Sequence, residues 1–240
     1  MRLMTRGTVE FEDVLDRVEQ AESHEVGGPP SPYRSPRYAY RRRIDNSQRR
    51  LLLKIIGQRR RGLTIVELGC ATAELLGPAG IGATSGGHRF IGVDINPYAL
   101  RRARVGSVAC GDAQLRVPLR SGSADLAFAM HVAEHLQEPS DIVREMARLL
   151  RPGGCALLAV PAEPIRGMFA VWSSMRLFGH PVGGRRIHLH RLKPSDFAPL
   201  AEAAGMDVAC SALAMLPCPQ YFVVLRKRGT SPTGARSTTD

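Results

Sequence analysis

The stretch that most constrains this chain is Leu63-Thr-Ile-Val-Glu67-Leu-Gly69-Cys70-Ala71-Thr72-Ala73-Glu74, together with Arg89-Phe-Ile-Gly-Val-Asp94 downstream of it. Each opens as a short apolar, β-prone run and ends in an acidic residue, and the first then passes through small residues into a helix-prone segment. The pattern predicts a strand, a tight turn, a helix and a second strand. In open α/β sheets ligands bind at the carboxyl ends of such strands, and an acid at the tip of the second is placed to accept hydrogen bonds from ribose hydroxyls. A nucleoside-containing cofactor is the first expectation.

The glycines separate two cofactor chemistries. A pyrophosphate approaching a helix N-terminus needs G-x-G-x-x-G, whereas here Gly69 is followed by Ala71 and position 74 is Glu. A carboxylate in that place argues against a nicotinamide dinucleotide. The spacing Glu67-x-Gly69-x-Ala71-x-Ala73 resembles instead the acid-x-Gly-x-Gly-x-Gly motif of class I S-adenosylmethionine-dependent methyltransferases, with Ala at the second and third glycines. If those positions require positive φ, each Ala costs ~1 kcal/mol or more.

Further along, Asn46–Ile56 reads as a helix capped at Asn46 or Ser47, and Pro97 opens a short helix leading into a third strand, Val105–Ala109. Cys110-Gly-Asp112-Ala113 closes that strand. Ala124–Met130 is a continuous apolar run, as expected of a buried parallel strand. His131-Val-Ala-Glu134-His135-Leu136 follows it, then a helix from Pro139 with Ile142, Val143, Met146, Ala147, Leu149 and Leu150 on one stripe. Arg151-Pro-Gly-Gly154 ends that helix, and Cys155–Val160 is a fifth strand.

This succession is similar to the small-molecule branch of class I methyltransferases that contains the ubiquinone-type O-methyltransferases, over residues 46 to 226. The resemblance implies a Rossmann-like α/β three-layer sandwich whose seven-stranded sheet is mostly parallel, with an antiparallel last strand pair supplied by residues 192–225. It also implies S-adenosylmethionine as cofactor, held by Glu67, Gly69, Cys70, Ala71, Asp94, Ile95, Asp112, Ala113, Met130 and His131. Asp112 would accept from the adenine amine and Ala113 would donate its N–H. A turn-forming Asp112 is the alternative.

Around this domain, 33–228, the sequence divides further. Residues 8–22 carry a helical stripe, and Gly27–Pro32 reads as a linker, so 1–32 is a short helix and linker. Residues 163–191 hold Trp172 and several Met and Phe, and loops of this length inside a domain usually serve function. A substrate lid with an apolar inner face is the expectation there. The tail, 229–240, is polar and expected to be disordered. No apolar run is long enough to span a bilayer and no apolar leader core follows Met1, which points to the cytoplasm. The five cysteines lack C-x-x-C spacing and read as reduced core or turn residues.

The net charge of +11 is concentrated between Arg34 and Arg61, where eleven Arg and Lys face Asp45 alone. A solvated helix face, nucleic acid, an acidic carrier protein and an anionic membrane surface all fit such a run. An RNA methyltransferase using that segment is therefore the main alternative to a small apolar or aromatic acceptor, and a catalytically silent binding protein is a third reading. Oligomeric state is open.

For chemistry, a hydroxyl acceptor needs a base, and His131, His135 and His188 are the candidates, with His190 nearby in sequence. His131-x-x-Glu134-His135 with a later His also has the look of a divalent-metal set. Some relatives use Glu-x-x-Glu-His plus a distant His for metal, but here His131 replaces the first Glu, and the expectation is a metal-free base.

Overall fold

The computed structural model describes residues 44–59, 61–103, 105–163, 171, 175, 181, 188–215 and 219–229. The N-terminal helix and linker, most of the 163–191 insertion, including Trp172, and nearly all of the tail lie outside them. In chain order the elements are α1 (Asn46–Gly57), β1 (Thr64–Leu68), β2 (Arg89–Asp94), α2 (Pro97–Leu100), β3 (Val108–Cys110), β4 (Ala124–Met130), α3 (Pro139–Leu149), β5 (Leu150–Pro161), α4 (Phe197–Ala203), β6 (Met206–Ala214) and β7 (Gln220–Lys227). Single 3₁₀ turns cover Ala133–His135 and Pro194–Asp196.

The strands form one seven-stranded sheet in the order β3-β2-β1-β4-β5-β7-β6. The β1–β2, β1–β4, β2–β3 and β4–β5 pairs are parallel. β7 is antiparallel to both β5 and β6, so it alone is reversed. This is the expected Rossmann-like sheet with its antiparallel last pair. The chain leaves β1 toward β2 on one side and returns as β4 on the other, and that change of direction opens a crevice at the carboxyl ends of β1 and β4.

Strand residues alternate between two cores. Ile65, Leu126, Phe128, Met130 and Leu157 face α1 and the 70–81 loop, packing with Leu52, Ile56, Leu76 and Ile81. Val66, Leu68, Ala127, Ala129 and Leu158 face Ile142, Val143 and Met146 of α3 and Phe197 of α4. Three layers result, helix and loop, sheet, and helix. α3 begins at Pro139, whose fixed φ suits the first helical position, and its apolar stripe turns wholly inward.

Five local expectations are corrected. The segment after β1 is a run of turns from 71 to 83 rather than a helix, because Gly77, Pro78, Gly80 and Gly82 interrupt it and the bends are closed by bonds such as Ile81 N–H to the Leu75 carbonyl. A Cβ on Gly80 would lie 1.9 Å from that same carbonyl oxygen. α1 is capped by Asp45, one residue earlier than expected, through the amides of Ser47 and Gln48. β3 is shifted to Val108–Cys110. β5 takes up 150–154 before its apolar run. Among the described residues, Cys70, Cys110, Cys155 and Cys210 form no disulfide, and Cys210 is exposed on β6 rather than in a core or turn.

Candidate active site

The turn after β1 is built from left-handed residues. Gly69 has φ 73°, and Ala71 and Ala73 sit at 49° and 53°. Both alanines therefore occupy the conformation that glycine adopts without a steric penalty. Gly69 is needed for a second reason, since a Cβ there would lie 2.4 Å from Cγ2 of Val132, in the loop after β4. The amides of Gly69 and Cys70 both donate to the Val93 carbonyl on β2, which pulls the turn over that strand. Asp94, at the tip of β2, completes it, one carboxylate oxygen accepting from the Ala71 amide at 2.6 Å and the other from the Asn96 amide at 2.8 Å.

The acids and small residues singled out in the sequence thus gather at one end of the sheet. Glu67 is fully buried near the end of β1, on the α1 side by alternation with Val66 and Leu68. Ile95 is half-buried just past Asp94. Asp112 accepts from the amide of Gln114 at 2.9 Å, the local turn bond of an Asp, and Ala113 is buried beside it. Met130 closes β4, buried.

The three candidate histidines lie in different surroundings. His131 sits at φ 58°, a strained value for a residue with a side chain. Its Nε2 lies 3.2 Å from Oε1 of Gln220, and its Nδ1 lies 3.4 Å from Oε1 of Glu134. His135 Nε2 is 3.9 Å from the same Glu134 oxygen, and the His135 and His188 rings meet edge to face at 4.8 Å. His188 Nδ1 is 2.8 Å from Oε1 of Glu163, just past β5. Because a carboxylate only accepts, that bond places the hydrogen on Nδ1 and leaves Nε2 to serve as a lone-pair donor. His190, by contrast, is tied by Nε2 to the Gln137 carbonyl at 2.9 Å.

Glu134 is 1% exposed. Burial pushes its carboxyl up, but the His131 imidazole 3.4 Å away and the charge of His135 together outweigh that, holding it below the ordinary carboxylate value. One ligand atom each from Glu134, His135 and His188 lie within 4.8 Å of one another. These are ligand types that suit a divalent transition metal, with Glu163 behind His188 as the outer carboxylate such sites carry.

Gln48, Gln220 and the role of Glu163 emerge only in the fold. Glu163 was legible only as the first residue of an insertion, and no motif marks either glutamine. Two members of the arginine run are put to structural use, Arg49 donating to the Gly80 carbonyl and Arg59 to that of Asp125. Arg59 and Arg61 also line a cleft of about 340 Å³ with His88 and Thr84. That cleft lies at the amino-terminal ends of β1 and β2, across the sheet from the carboxyl-end cluster.

Residues 66–158 match the family model described as a methyltransferase domain. A ubiquinone biosynthesis O-methyltransferase of Bordetella avium (strain 197N) is 26% identical over 158 residues, covering 61% of this chain and 63% of that protein. The chain spans less than two thirds of the length of this and other curated relatives. Among solved structures, the S-adenosyl-L-methionine complex of Haemonchus contortus phosphoethanolamine N-methyltransferase 2 superposes with a TM-score of 0.59 at 16% identity, over 93% of this chain and 61% of that one. The [4+2]-cyclase SpnF superposes at 0.55 and 16%, over 75% and 80%. At such identities the superpositions establish the fold. The matched segment spans the turn after β1, the tip of β2 and the loop after β4, so residues 66–158 carry a methyltransferase domain.

Proposed function

We propose that this chain transfers a methyl group from S-adenosylmethionine to an oxygen of a small, largely apolar or aromatic acceptor. The observation that carries the cofactor half is the junction of Asp94 with the left-handed turn, where an acid at the tip of β2 meets the Ala71 amide across the crevice mouth. Each carboxylate oxygen has a second lone pair, so Asp94 can hold the turn and still accept from a ribose hydroxyl. Bound there, the cofactor supplies an electrophilic methyl on a sulfonium. Glu67, Gly69, Cys70 and Ala71 would line its amino-acid end, Asp94 and Ile95 the ribose, and Asp112 and Ala113 the adenine, with Met130 and His131 closing the floor.

For the acceptor, His188 is the base best prepared by its surroundings. Glu163 sets its tautomer and stabilises the imidazolium that forms as the hydroxyl proton moves to Nε2. His135, against the same ring, flanks that position. The apolar composition of the 163–191 insertion and the names of the relatives support a small acceptor.

Calorimetry with S-adenosylmethionine tests the cofactor reading. Asp94→Asn should weaken binding by ~1.5–3 kcal/mol, the worth of a hydrogen bond to a charged acceptor, and a wild type that does not bind overturns it. His188→Ala and Glu163→Gln should each lower turnover by ~10²-fold or more, and turnover should survive exhaustive chelation. A divalent metal on Glu134, His135 and His188 is the second reading, favoured by the mutual approach of their ligand atoms. Loss of turnover on chelation, restored by Zn²⁺, Mn²⁺ or Mg²⁺, would establish it in place of the free base.

A further inference from the structure

A buried polar network runs from the floor of the crevice to the cap of α1. Gln220, fully buried at the first residue of β7, donates its Nε2 to Oδ2 of Asp45 at 2.9 Å and to Oγ of Ser47 at 3.1 Å. A carboxylate cannot donate, so the contact with Asp45 settles which way the Gln220 amide points. Its Oε1 then accepts from Nε2 of Gln48 at 2.8 Å and faces His131 Nε2 at 3.2 Å. An amide oxygen is only an acceptor, and His131 Nε2 must therefore carry the hydrogen and donate. The other nitrogen of the ring faces Glu134. Neither nitrogen is directed as a lone pair toward an acceptor hydroxyl.

The far end of the network is the start of a helix. The second oxygen of Asp45 caps α1 through Ser47 and Gln48. One turn further on, Arg49 holds the loop that follows β1 by its bond to the Gly80 carbonyl. α1 therefore meets the start of β7 at its first turn, reaches His131 after β4 through Gln220, and holds the 71–83 turns along its flank. The strained backbone of His131 aims the ring at this junction.

We propose that His131 is a positioning residue rather than the base, and that the relay His131–Gln220–Asp45 latches α1 over the cofactor crevice. This rests on the cofactor reading above only in naming what the crevice holds. His131 reaches α1 only through Gln220, so removing either link should loosen the same helix. Losing two links should do no more than losing one.

The test is hydrogen exchange of the α1 amides in the cofactor-free full chain, paired with calorimetry using S-adenosylmethionine. His131→Ala, Gln220→Met and their combination should each speed exchange in the first turns of α1 about tenfold, the worth of one such bond, while β4 and β5 amides keep wild-type protection. Cofactor affinity should fall by a similar factor in all three, without additivity. Asp45→Ser keeps a capping oxygen but gives up the reach to Gln220, and it lies on α1 rather than in the floor. It should reproduce the effect even if a floor variant fails to fold. His131→Asn, which tolerates the left-handed backbone and offers an amide donor, should restore part of the protection.

Unchanged α1 exchange in both His131→Ala and Asp45→Ser overturns the latch, as do additive effects of His131→Ala and Gln220→Met. If α1 loosens as expected but the wild type fails to bind S-adenosylmethionine, the latch stands and the cofactor reading falls.

Discussion

Ala71 and Ala73 sit where glycine is the unstrained choice, and the strain is a local property that substitution can remove. Ala71→Gly should raise stability to chemical denaturation by ~1 kcal/mol, the left-handed penalty for a Cβ, less whatever the added freedom of the unfolded chain takes back. Ala73 is fully buried beside Cys70, so the same change there trades strain for a lost methyl contact and should come out near neutral. Gly69→Ala goes the other way, adding both left-handed strain and the collision with Val132, and should cost roughly 2–4 kcal/mol.

Glu134 is the residue whose chemistry links stability to pH. Its folded pKa lies below the ordinary value of 4.5, so its contribution is fully present above that value and is lost as the pH falls through the lowered one. Urea titrations should show a wild-type stability that drops on acidification below 4.5. Glu134→Gln should be less stable than wild type at neutral pH, because it loses the charge that the two histidines favour, with a flatter acid limb. A wild-type curve already flat there would contradict the pairing with His131 and His135.

Among the elements, α3 has the most direct route from pattern to energy. Ile142 and Met146 are completely buried against the small residues Ala127 and Ala129 of β4, which let the helix approach the sheet closely. Ile142→Ala should cost ~3 kcal/mol, within the range for a large-to-small change in a packed core. The sheet is unequal across its width. Cys155 on β5 lies in the core, where burial pushes its thiol up despite the opposing charges of Arg59 and Arg226, whereas Cys210 on the edge strand β6 is exposed. Alkylation of the native chain with iodoacetamide, read by peptide mass spectrometry, should modify Cys210 at neutral pH and leave Cys155 intact until the chain unfolds.

For the molecule as a whole, charge and fold each leave the reaction open in a different way. The excess of +11 invites an RNA reading, yet in the described part of the run Arg49 and Arg59 bind backbone carbonyls of the chain itself. Generic RNA titrated at increasing salt should bind weakly and with a shallow slope. Sub-micromolar binding that falls steeply with salt would favour the RNA alternative. The sheet topology is shared with a [4+2]-cyclase as well as with methyltransferases, so the reaction has to be argued from residues at the crevice rather than from architecture. Among the described residues no helix is long and apolar enough to cross a membrane.

The strands, their order of appearance and the acids at their tips were all legible in the linear chain. Period and apolar run length mark Ala124–Met130 to the residue and the helix from Pro139 up to its last turn, where Leu150 already belongs to β5, and Gly69 with Asp94 marks the crevice, because these features follow from local backbone geometry and one-dimensional burial. What the chain did not disclose depends on groups far apart in sequence. The turns at 71–83 took the place of a helix because closely set glycines and Pro78 break the i to i−4 ladder and the loop packs against α1. The histidines looked equivalent until the fold brought Gln220 and Asp45 to one and Glu163 to another. A hydrogen bond's direction is set by the partner it meets in space, and only the tertiary structure supplies that partner.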